Sequence, residues 1–225
     1  MARTKDYQSA FDVIGPVMMG PSSSHTAGAV KIGQAARAVL GDTPDRIKVH
    51  YYESFAETHK GHGTDLAIIG GLLGFSTFDS RIKTSTTIAR EQGIPFEFIE
   101  EKGASLGEHP NCALIIIDKG DRHVELNGIS IGGGAFKVKS IHVNNMCILL
   151  SHTPNLLVID GECDMSQINH LINDLVEKNV DINEEIKTMS QDRCLLALHL
   201  NKAIKSELLD EIRQKYTNLQ FSYIQ

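Results

Sequence analysis

"GPSSSHTAGAVKIGQAARAVLG", residues 20–41, changes character half-way. Its first part, residues 20–28, sets three serines, a histidine and a threonine between two glycines, too polar a run for a core. Its second part places Ala27, Val30, Ile32, Ala35, Ala36, Val39 and Leu40 at helical spacing and stops at Gly41, so a helix is expected over 27–40. Ser24 and Thr26 are suited to cap its start. A helix leaves its first N–H groups unpaired, and its dipole favours negative charge there by about 0.3–1 kcal/mol. The hydroxyl-rich run therefore reads in two ways: as an over-provided cap, or as a cradle for a small anion such as a carboxylate.

Outward from this helix the periodicity mixes strands and helices. Strands are expected at 47–52, 96–99, 113–117, 123–126 and 136–141, and helices at 64–73 and 78–92. These make an α/β domain over 1–145. The remainder, 146–225, reads as strand 156–159, helix 164–178, strands 180–189 and 194–200, helix 207–216 and strand 221–224. That β-α-β-β-α-β order belongs to a ferredoxin-like sandwich. Charge separates at the same place: residues 151–225 carry 7 basic and 12 acidic side chains, the first 150 carry 15 and 16.

A net charge of −6 and a pI near 5.9 argue against a nucleic-acid partner held by phosphate neutralisation. No run approaches the roughly 18 apolar residues of a membrane span, and no apolar leader follows Met1, so a cytoplasmic protein is expected. Cys112, Cys147, Cys163 and Cys194 are dispersed, encode no local metal cage and read as small core residues in a reducing compartment.

Three further polar clusters carry chemistry. In "ETHKGHGTD", residues 57–65, His59 and His62 stand three apart, but Gly61 and Gly63 argue for a loop, with Thr64 capping the next helix. H-x-x-H without a third ligand is a poor metal site, whereas a glycine-flanked histidine suits a general base, its ordinary pKa lying at about 6.5. His109-Pro110-Asn111 precedes a buried strand. Residues 127–134, "NGISIGGG", are not a dinucleotide fingerprint; they read as a tight turn or as a backbone wall against a ligand.

Together, "FDVIGPVMMGPSSSHTAGAVKIG", "YYESFAETHKGHGTDLAIIGGLLGF", "HPN" and "GISIGGG", in this order, resemble the beta-subunit family of bacterial iron–sulfur-dependent L-serine dehydratases. The likeness runs from about Phe11 to Ser140, over a domain also similar to the allosteric substrate-binding domain of some phosphoglycerate dehydrogenases. The trailing segment resembles an ACT domain. The resemblance implies conversion of L-serine to pyruvate and ammonia, in serine catabolism and gluconeogenesis, by a heteromer. It places a [4Fe–4S] cluster on the partner alpha subunit and none on this chain.

On this resemblance His62 is expected to be the base and His25 to assist in proton transfer or positioning. Ser22, Ser23, Ser24 and Thr26 would hold the substrate. Asp65 would orient His62, cap its helix or touch substrate, with Asn111 a further binding residue. The segment 159–167 departs from the ACT pattern. Gly161 comes early, and Glu162 and Asp164 add negative charge where an amino acid's carboxylate would dock, so effector sensing is not expected there. The alternative is a non-catalytic regulatory module binding serine or another small anion; a homodimer through either domain is left open.

Overall fold

The computed structural model describes residues 18–20, 22–151 and 155–225. Pro21 and the opening of the first family-like motif, residues 11–17, lie outside them. A helix of 12 residues, α1 (Ala29–Leu40), follows a π-helical turn over Ser23–Gly28. Strands β1 (Arg46–Tyr52), β2 (Phe96–Glu100), β3 (Cys112–Lys119), β4 (Arg122–Gly132), β5 (Ala135–Val143) and β6 (Met146–Leu149) form a sheet in the order β2-β1-β3-β4-β5-β6. β1 and β2 are parallel and the other neighbours antiparallel. A parallel pair needs a crossover. Here α2 (Glu53–His62), α3 (Thr64–Leu72), a 3-10 turn (Ser80–Thr84) and α4 (Ser85–Glu91) supply it.

Burial alternates along the strands: Ile47, Val49 and Tyr51, like Ala113, Ile115 and Ile117, are buried, while Leu114 and Ile116 are only half-buried. The helices therefore cover one face of the sheet. Side chains would hold α1 and α3 apart, and glycines remove them. A Cβ at Gly33 would stand 2.4 Å from the Ile68 carbonyl oxygen, and one at Gly71 2.1 Å from that of Val30. The two helices meet backbone to backbone, which brings their N-terminal ends, Thr26 on one side and His62, Gly63 and Leu66 on the other, around one small cavity.

The second unit comprises β7 (Leu156–Glu162), α5 (Met165–Glu177), β8 (Ile182–Ser190), β9 (Arg193–Leu200), α6 (Ser206–Lys215) and β10 (Leu219–Ile224). Its antiparallel sheet has the order β10-β7-β9-β8. On one face Leu157, Ile159, Leu196, Leu198 and Phe221 pack on α5 and α6. On the other, Leu156, Val158, Leu195, Ala197 and Ile224 join the core of the first unit. A sheet buried on both faces needs unbroken apolar strands, hence "LLVI" and "CLLALHL". The seam is latched by Arg122, whose guanidinium donates to both oxygens of buried Asp160 at 2.6 and 2.7 Å and to the Val39 carbonyl at 2.8 Å.

Four expectations need correction. Residues 53–62 are helical, not a loop: Phe55 and His59, one turn apart, bury one face, and Gly63 at φ 72° ends the helix. Gly63, not Thr64, occupies the cap position of α3. β6 pairs with β5, so the first sheet runs on past residue 145, where the first domain was expected to end. Cys163 and Cys194 are joined as a disulfide, because β7 and β9 align Gly161 with Cys194 and leave the two Cα atoms 5.9 Å apart; a reducing compartment would hold them as adjacent buried thiols. Cys112 is buried and Cys147 exposed, both free. No helix among the described residues is long and apolar enough to cross a membrane.

Candidate functional site

The site is built on the π turn. Ser22, in extended conformation, caps it: its Oγ accepts from the His25 backbone N–H at 3.3 Å. The wider turn brings two hydroxyls onto one imidazole nitrogen. Ser24 Oγ lies 3.0 Å and Ser22 Oγ 3.3 Å from His25 Nδ1, and the two hydroxyls are 3.3 Å apart. Ser23 is half-buried at the start of the turn. The cap reading thus accounts for Ser22, while Ser24 serves the histidine.

The imidazole of His62, in the last turn of α2, meets that of His25 edge-on, 4.7 Å between centroids at 89°. Phe55 closes on His25 from another side at 5.2 Å. Burial, reinforced by the neighbouring His62, pushes the His25 pKa below its ordinary value, so its neutral form is favoured. His62 is exposed beside a cavity of about 150 Å³ that it shares with Met19, Gly20, Thr26, Gly63, Leu66, Ile82 and Lys83.

In the π turn and the two elements packed on it, four buried polar atoms have no hydrogen-bond partner among the described residues: His25 Nε2, Thr26 Oγ1, Thr64 Oγ1 and Ser130 Oγ. Buried donors and acceptors are ordinarily paired, and each unpaired one costs about 1–3 kcal/mol. Four such atoms, gathered by the π turn, the start of α3 and β4, give the place the polarity of a binding site. Gly28 lets β4 approach, since a Cβ there would stand 2.0 Å from Ser130 Oγ.

The other sequence candidates distribute unevenly. Asn111 is tied to β4: its Nδ2 donates to the Ser130 carbonyl at 3.4 Å, and Ser130 N–H donates to its carbonyl at 2.9 Å. Asp65 does not hydrogen-bond to His62. It engages His59 instead, Oδ1 to Nδ1 at 2.6 Å, and the far nitrogen of that ring meets Glu100 Oε1 at 2.9 Å. The glycines at 132–134 all have positive φ and make the β4–β5 turn, which supports the turn reading. Sequence reasoning missed Thr64 and Ser130 as polar linings and His59 as a buried residue. The spacing of Phe55 and His59 was the available signal for the last. Among the described residues no three His, Cys, Asp or Glu side chains converge on a metal-sized site.

The family model described as serine dehydratase beta chain matches residues 9–140, the region holding every residue of the site. The chain belongs to that family. It is 43% identical to the probable L-serine dehydratase beta chain of Bacillus subtilis over 92% of this chain and 93% of the relative, so the likeness extends into the second unit. It is 44% identical to the L-serine dehydratase beta chain of Peptoniphilus asaccharolyticus over 64% of this chain and 63% of that one. A shorter stretch, 29% of this chain and 15% of the relative, is 46% identical to L-serine dehydratase 2 of Escherichia coli.

Proposed function

We propose that this chain is the beta subunit of a cytoplasmic L-serine dehydratase and lends His62 and His25 to an active site completed by an alpha subunit. One observation carries the reading: two imidazoles edge to edge, one exposed beside a cavity and the other buried and held by hydroxyls. Loss of water from serine needs a base for the α-proton and a means of releasing hydroxide. A [4Fe–4S] cluster on the alpha subunit would supply Lewis acidity at the β-hydroxyl.

The residues of this chain do the rest. His62 takes the α-proton on a ring nitrogen as the Cβ–O bond breaks. One water leaves, and the enamine hydrolyses to pyruvate and ammonia. His25 is hydrogen-bonded through Nδ1, and its Nε2, which has no partner among the described residues, is left to accept a substrate N–H or to relay a proton. Thr26, Thr64 and Ser130 offer hydroxyls to the carboxylate. The second unit, ACT-like in element order, serves as a docking module, its sheet already covered on both faces.

The test is reconstitution with the alpha subunit. His62→Ala is expected to lower kcat by about 10²–10⁴-fold, the range of general-base catalysis. Retention of wild-type kcat would remove His62 from the chemistry and favour the regulatory reading. A rise in KM alone on His25→Ala would make that ring a binding group.

A further inference from the structure

We infer that His59 is a positioning residue for His62, holding the base in register through a buried ionic clamp; this rests on the reading of His62 as the base. The His59 side chain is 3% exposed, yet each ring nitrogen meets a carboxylate: Asp65 at 2.6 Å and Glu100 at 2.9 Å. Both contacts are within hydrogen-bonding distance, and together they hold the ring at its two nitrogens. Lys60 Nζ donates to the same Glu100 oxygen at 2.7 Å and joins the cluster. Lys60, with His59 beside it, holds the Glu100 carboxyl down to about 2, so that partner stays ionised.

The clamp's three anchors come from three elements, and they straddle the joint that carries the base. His59 lies on α2 one turn before His62, Asp65 is in the first turn of α3 two residues after Gly63, and Glu100 ends β2. Gly63, in the left-handed region, is the hinge between the two helices. Fixing residues 59 and 65 to each other fixes the angle across that hinge, and with it the placing of His62 against His25. Tyr51 stacks beneath the His59 ring at 4.7 Å, with Phe98 tilted against it at 6.3 Å, so the clamp cannot swing. An apolar side chain would fill this space as well as histidine; two directional bonds to opposite ends of one ring also set an angle. Asp65 is thereby committed to His59.

The experiment compares wild type, His59→Asn and His62→Ala, each assembled with the alpha subunit. The wild-type and His59→Asn free chains are also followed by NMR of the histidine rings. His59→Asn is expected to lower kcat by about 10–100-fold, the usual effect of losing a residue that orients a reacting group, with KM for L-serine little changed. The through-space contact between the His25 and His62 rings should weaken at the same time. A kcat within twofold of wild type, while His62→Ala abolishes turnover, would overturn the inference alone. If His62→Ala keeps full activity, it is the catalytic reading that fails, and the ring contact still decides whether His59 places His62. Should His59→Asn not fold, Glu100→Gln loosens one of the two bonds at a half-exposed position and is read by the same criteria, with a smaller drop expected.

Discussion

Gly71→Ala and Gly61→Ala are the same chemical change in two helices and should move stability in opposite directions. In a helix interior alanine is favoured over glycine by about 0.8–1 kcal/mol. At Gly61, exposed in α2 with nothing within 4 Å of the added carbon, that preference acts unopposed, so a gain of about 0.5–1 kcal/mol is expected. At Gly71 the added carbon would stand 2.1 Å from the Val30 oxygen, 2.9 Å from the Gln34 nitrogen and 3.0 Å from the Gly33 Cα, all backbone. No rotamer relieves such a contact. Helix α1 would have to retreat by about 1 Å, and a gap of 0.5–1 Å already forfeits about a quarter to a half of each dispersion contact. Ala29, Val30, Ile32, Ala67 and Ile68, all fully buried, would share that loss. Overpacking typically costs about 1–3 kcal/mol, and this site belongs at the upper end, so the clash outweighs the propensity gain by about 2 kcal/mol. Urea unfolding at neutral pH measures both variants, and they should differ by about 3 kcal/mol, roughly two powers of ten in the folded-to-unfolded ratio. A Gly71→Ala chain as stable as wild type would refute the backbone crossing of α1 and α3, and with it the account of how their N-terminal ends are brought together.

The seam offers a second test. Asp160→Ala strands Arg122 in a buried setting and should cost about 3–5 kcal/mol in urea unfolding; a loss under about 1 kcal/mol would mean that the pair is not the latch. Gly28→Ala would drive a carbon to 2.0 Å from Ser130 Oγ and 2.8 Å from Ser130 Cβ, costing about 1–3 kcal/mol, part of which Ser130→Gly should restore in the double variant. The pH dependence has two opposed parts. With the folded-state pKa of His25 depressed by burial, the unfolded chain binds the proton first, so stability falls as pH drops below 6.5, and His25→Gln should flatten that loss. The hydrogen bond that His123 donates to Asp118 raises the His123 pKa, so its contribution is complete below 6.5 and vanishes as pH rises through the raised value; His123→Gln should remove that decline. Stability measured between about pH 5.5 and 8 reads both, and an unchanged profile in either variant would discard the corresponding assignment.

Local pattern alone determined the elements whose periodicity is long and uninterrupted: the stripe of α1, the apolar body of α3, and the β-α-β-β-α-β order of the last 70 residues. It also singled out the polar run at 22–26, since five hydrogen-bonding side chains exceed what one helix start requires, and left cap and anion cradle both open. The sequence understated α2, because Gly61 and Gly63 look like breakers when each is weighed singly. Only the burial of Phe55 and His59 against the sheet makes ten residues there worth ordering as a helix. The partner of Asp65 was likewise undecidable from spacing: His59 and His62 are both within reach along the chain, and the hinge at Gly63 turns one of them toward the carboxylate. Ser130 and Glu100 come to the site through strand pairing across long separations, as Cys194 comes to Cys163. Contacts of that kind are set by register and by which face meets the core, quantities that exist only once the two sheets and their helices have packed.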